Sequence, residues 1–139
     1  MFGIPLPQYL HFIVVHVPIG ILLTGTVWEW THAWHGRPSA WPSGLLAAGV
    51  AGAWLACATG LWNRQWHLAE GLEPAAQRIL NWHLAFAVTG TVMFTMTWML
   101  ARQPSSPVRQ RWRRGSDVMG LAALAFAAHL GGMLAHGVF

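Results

Sequence analysis

Histidine is the residue of this chain best suited to chemistry, with eight copies in 139 residues. Neutral imidazole is the commonest metal ligand and can also carry protons near neutral pH. His11, His16, His83, His129 and His136 lie inside long apolar segments, and His67 sits in a polar stretch between two of them. A histidine held in lipid is costly, so it usually turns into a bundle to hydrogen-bond, relay protons or hold a cofactor. Spacing limits which of them can act together. His129 and His136 are seven residues apart and point the same way on a helix, whereas His11 and His16 differ by roughly 140°. Pro18 can bend the helix there and relax that constraint.

The elements that carry these residues follow from composition. Hydrophobic residues make up 55% of the chain and charged residues 9%, too few to cover a water-facing surface. Met1 to Trp28, Pro38 to Asn63, Ile79 to Ala101 and Val118 to Phe139 contain no Asp, Glu, Lys or Arg. Each is long enough to cross a ~30 Å hydrocarbon core as a helix of ~20 residues. They are too long and too evenly apolar for barrel strands, and backbone amides in lipid need internal partners. The expected fold is therefore all-α: one integral membrane, up-and-down four-helix bundle with spans at about 10–31, 43–63, 79–101 and 118–138. The start of the chain has no basic region, and Pro5, Pro7 and Pro18 interrupt it, so it is read as helix one rather than a signal peptide.

All eight basic residues are arginines. Arg102, Arg109, Arg111, Arg113 and Arg114 fall between helices three and four, Arg37 in the first loop, and only Arg64 and Arg78 in the middle loop. The positive-inside rule then expects a bacterial cytoplasmic membrane protein with both termini and the middle loop in the periplasm. The surplus arginines are suited to anionic lipid, and no nucleic-acid partner is expected. Trp28, Trp30, Trp34, Trp41 and Trp98 fall near one interface and Trp62, Trp66 and Trp82 near the other, the usual place for an indole. Helix two carries a small-residue ridge at Ala48, Gly52, Ala56 and Gly60, and helix four another at Ala123, Ala127, Gly131 and Ala135. Such ridges allow close helix packing or admit a flat ligand.

With this orientation six histidines gather toward the periplasmic side, and His32 and His35 lie in the cytoplasmic loop region. At ~1.5 Å per residue His16 lies ~10 Å deep, His83 ~6 Å and His129 ~13 Å, near enough to share a layer. Two imidazoles from facing helices can hold a haem iron axially. The candidate metal ligands are His16, His83, His129 and His136, with His11 as a further cofactor contact. Arg64, Arg78 and His67 are available to haem propionates. A non-haem transition metal, or no cofactor, is the alternative. Cys57 stands alone, so there is no intrachain disulfide and no CxxCH haem attachment. No acidic residue is expected deep in any span, and Glu29 reads as interfacial, which disfavours a transporter. No nucleophile motif, nucleotide loop or paired-carboxylate site points to a hydrolase.

Leu10-His11-Phe12-Ile13-Val14-Val15-His16-Val17-Pro18-Ile19-Gly20 resembles the opening "LHP, two residues, VHFPIG" signature of a bacterial four-helix membrane family, domain of unknown function 2231. The end of the chain, Leu130-Gly131-Gly132-Met133-Leu134-Ala135-His136-Gly137-Val138, is similar to that family's closing "LGG…L…HGV" pattern, and Ala58-Thr59-Gly60-Leu61 to its helix-two ending. The resemblance implies a four-helix fold and site positions at His11, His16 and His136. Phe12 departs from the family's usual Pro, and Glu29 and Asn63 from its Asp. Such domains sometimes accompany c-type cytochromes, which implies electron transfer. The expected function is thus a small cytochrome b-like membrane subunit, more an accessory than a stand-alone enzyme. Its expected partners are other membrane subunits and a periplasmic c-type cytochrome or oxidoreductase. The alternative is a structural or assembly subunit of a respiratory or photosynthetic complex. A reporter fused after Phe139 is expected to report the periplasm; cytoplasmic activity there would reverse the orientation.

Overall fold

The computed structural model describes residues 6–37 and 43–138. Pro5, Trp41 and Phe139 lie outside the described residues. Four long helices make up the fold: α1 (Leu6–Trp34), α2 (Ser43–Ala69), α3 (Pro74–Ala101) and α4 (Pro107–His136), with no strand among the described residues. All four are long and apolar enough to cross a membrane. Short connections make sequential neighbours antiparallel. The most extensive contacts are α3 with α4 and then α1 with α2, joined by a smaller α2–α3 interface, while α1 and α4 touch only slightly. The bundle is therefore two helical hairpins laid together, with one seam barely closed.

The helices run past the charge-free segments. The start of α4 lies three turns before Val118, so Arg109, Arg111, Arg113 and Arg114 are helical rather than part of a loop. Ser106 caps that start, its hydroxyl accepting from the Arg109 amide at 3.3 Å, and Pro107 occupies the first turn, where its missing N–H costs nothing. Arginine is a good helix former; charge limits depth in lipid, not helicity. The other end of α4 stops at Gly137, whose φ of 64° suits glycine, with its amide on Leu134 O and the Val138 amide on Met133 O.

Large apolar side chains such as Phe12, Ile13, Val17 and Phe126 point outward, as a lipid-facing surface requires. Leu22, Leu46, Val50, Ala53 and Phe94 form the buried core, with Ile21, Trp98, Leu121 and Leu124 against it. Glycines set how closely the helices approach. A Cβ at Gly120 would lie 2.8 Å from Phe94 Cε2, and Phe94 is fully buried, so its ring has nowhere to move. A Cβ at Gly49 would meet Leu22 Cδ2 at 2.8 Å. Gly132 has open space around it. Gly120→Val is expected to cost about 1–3 kcal/mol through overpacking. Gly132→Ala should instead gain up to ~1 kcal/mol of helix propensity. Thermal unfolding in detergent measures both, and equal effects would mean that the α3–α4 approach does not depend on Gly120.

Candidate functional site

Polar side chains gather at two levels of the bundle. At the end formed by the start of α1 and α3 and the finish of α2 and α4, His11 on α1 faces His83 on α3. Their ring centroids are 6.4 Å apart and the planes are nearly perpendicular, at 89°. Each ring is oriented by a bond within its own hairpin. His11 Nδ1 lies 3.2 Å from Thr59 Oγ1 on α2. That hydroxyl already donates to Ala56 O at 3.0 Å, so it can only accept from the imidazole. His83 Nδ1 donates to Ala127 O on α4 at 2.8 Å, since a carbonyl has no proton to give. In the neutral state both rings therefore carry hydrogen on Nδ1 and a lone pair on Nε2. A carbonyl or hydroxyl on Nδ1, with Nε2 left to bind, is the usual support of a metal-ligating histidine.

The small-residue ridges pass beside these imidazoles. A Cβ at Gly60 would lie 2.9 Å from His11 Cε1, and one at Gly131 3.1 Å from His83 Cε1. Helices α2 and α4 thus leave room for the rings where any side chain would press on them. Thr59, Gly60, Ala127 and Gly131 belong to the site, though no chemistry-bearing residue type marks them. For Gly60, Ala127 and Gly131 the signal in the sequence is the four-residue spacing of small residues, and for Thr59 it is the helix-two ending Ala58-Thr59-Gly60-Leu61.

The other candidate residues fall elsewhere. His16 is exposed on α1, its Nδ1 on Phe12 O and its ring tilted against Phe12 with centroids 5.6 Å apart. His129 and His136 are exposed on α4. The structure brings His83 together with His11 and not with His16, because the turn between residues 11 and 16 sends their side chains to different faces and the helix stays continuous through Pro18. At the same end Arg64 donates to Asn81 Oδ1 at 3.0 and 3.3 Å, His67 lies 3.7 Å from Glu70, and Arg78 is exposed. Among the described residues no group of three or more His, Cys, Asp or Glu is placed to hold a metal ion. The histidine pair can supply two protein ligands.

The 6.4 Å ring separation is compatible with two imidazoles sharing one metal. Two imidazoles bound through Nε2 at ~2.0 Å to one metal hold their centroids on the order of 6 Å apart. Two imidazoles alone would leave a bare ion short of protein donors, whereas a porphyrin would bring its own.

The second polar level lies at the opposite, arginine-bearing end. Glu29, expected at the interface, is 4% exposed on α1, and its Oε2 accepts from Arg113 Nη2 on α4. Asp117, one turn further along α4, is 2% exposed and accepts from Thr97 on α3 at 2.8 Å. Both acidic side chains are thus buried between helices; with α4 extending back to Pro107, Arg113 and Asp117 turn inward on one helix. Comparison with family models, curated proteins and solved structures gives no significant match.

The Glu29–Arg113 pair crosses the α1–α4 seam, where little else holds the helices together. Removing one member of a buried pair strands the other charge. Arg113→Ala is expected to destabilise by about 3–5 kcal/mol. Adding Glu29→Gln to it should recover part of that loss in a double-mutant cycle followed by unfolding in detergent. Strictly additive losses would mean that the two side chains do not interact.

Proposed function

We propose that this protein is a small cytochrome b-like subunit of the bacterial cytoplasmic membrane, in which His11 and His83 would hold the iron of a b-type haem. The observation that carries this reading is the close approach of the two imidazoles, each oriented through Nδ1 by a neighbouring helix. Haem, when bound, supplies reversible one-electron chemistry, while the protein provides ligation, burial and tuning. Thr59 and the Ala127 carbonyl hold the ring orientations and raise the basicity of the ligating nitrogens. Gly60 and Gly131 keep α2 and α4 clear of the rings. Arg64 and Arg78, at the same end, are suited to propionate groups.

The resemblance to domain of unknown function 2231, with His11 inside its opening signature, supports the same level of the bundle. The arginine distribution supports an orientation with that level toward the periplasm, where a periplasmic c-type cytochrome or oxidoreductase and other membrane subunits are the proposed partners.

The test is an absorption spectrum of the purified protein, oxidised and dithionite-reduced, after expression with ample haem. The reduced wild type is expected to show the sharp α band of low-spin bis-imidazole haem. His11→Ala and His83→Ala should each abolish it, because no neighbouring group replaces the lost bond. His16→Ala, His129→Ala and His32→Ala should keep it. A folded, colourless wild type free of transition metal would overturn the reading and favour a structural or assembly subunit. A band that survives in the His11, His83 double variant would overturn the ligand assignment.

A further inference from the structure

The arginine-end cluster holds one acid more than it has cations. Glu29 comes from α1, Arg113 and Asp117 come from α4, and Thr97 comes from α3 as a neutral hydroxyl. On α2 the segment from Ser43 to Ala56 contains no titratable residue, and on α3 there is none from Leu84 to Ala101. Arg113 is taken up by Glu29. Asp117 Oδ1 accepts from Thr97, while Oδ2 is buried and has no hydrogen-bond partner among the described residues.

An ionised Asp117 would leave the cluster with a net negative charge in an apolar medium and an oxygen with no donor. A buried charge without pairing is among the costliest arrangements in a protein, and in a membrane such a group is neutral or functional. We propose that Asp117 is a proton-binding site: its carboxyl is held neutral with the proton on Oδ2 and exchanges it with water at the arginine-bearing end of the bundle. On release the Oδ2–H bond breaks, the proton passes to water, and the carboxylate left behind faces Arg113. Uptake reverses these steps and restores a neutral cluster of one cation and one anion. The path is short, because Arg113 lies one turn, ~6 Å, nearer the helix start and Trp112 beside it is exposed. The site needs no haem and lies on the other side of the bundle core from His11 and His83.

Infrared spectroscopy of the purified protein reads this directly, because Asp117 is the only aspartate in the chain. At neutral pH the wild type is expected to show the C=O stretch of a protonated carboxyl above the amide band, shifted down in heavy water and moved by isotope-labelled aspartate. The band should be absent in Asp117→Asn, shift its titration to lower pH in Glu29→Gln, where Arg113 loses its anion and Asp117 can take its place, and disappear reversibly in the wild type as pH is raised. The isotope label gives the assignment in the unmodified protein even if Asp117→Asn does not fold. No band at neutral pH, a band indifferent to labelled aspartate, or one that neither shifts in heavy water nor titrates while the protein remains folded would overturn the proposal.

Discussion

A polar side chain carried into hydrocarbon can bond only to its own helix or to a neighbouring one, and that constraint decides how these four helices meet. Some groups turn back on their own backbone: Thr26 donates to Leu22 O, Thr91 to Ala87 O and Ser116 to Trp112 O. Others reach across. Trp54 Nε1 donates to Thr95 on α3, Thr97 donates to Asp117 on α4, and Arg113 donates to Glu29 on α1. Lipid competes for none of these contacts, and apolar surface gives no reason for helices to associate in lipid. The inter-helix bonds and the glycine approaches therefore specify the packing.

The two polar levels use this constraint differently. At the histidine end each imidazole is bonded within its own hairpin, His11 to α2 and His83 to α4, and the rings then meet between hairpins. Orientation comes from local bonds, and opposition comes from the docking of one hairpin on the other. At the arginine end the ion pair itself spans the hairpins, closing a seam with few other contacts. One level thus sets two imidazoles against each other between the hairpins, while the other spends most of its polar capacity on holding the bundle shut.

Glycine connects stability to the site. Gly49 and Gly120 admit Leu22 and Phe94 to the core, and Gly60 and Gly131 admit the two imidazoles by the same geometry. Close backbone approach is how a membrane bundle gains dispersion contact, and here it also makes room for rings at one level.

Much of the architecture is legible in the residue order. Four charge-free stretches in a chain this apolar permit only a helical membrane bundle, because both length and backbone satisfaction are local requirements. The small-residue ridges on helices two and four also follow from spacing alone. Which histidines meet does not, since axial depth can be counted along a chain while the rotation of one helix against another cannot. Depth favoured His16 beside His83, and the packed rotation put His11 there instead. The burial of Glu29 and Asp117 likewise depended on where α4 begins and which way it turns. Helical spans were thus determined by composition, whereas the partners of each polar side chain were decided only by the tertiary structure, because those partners lie on other helices.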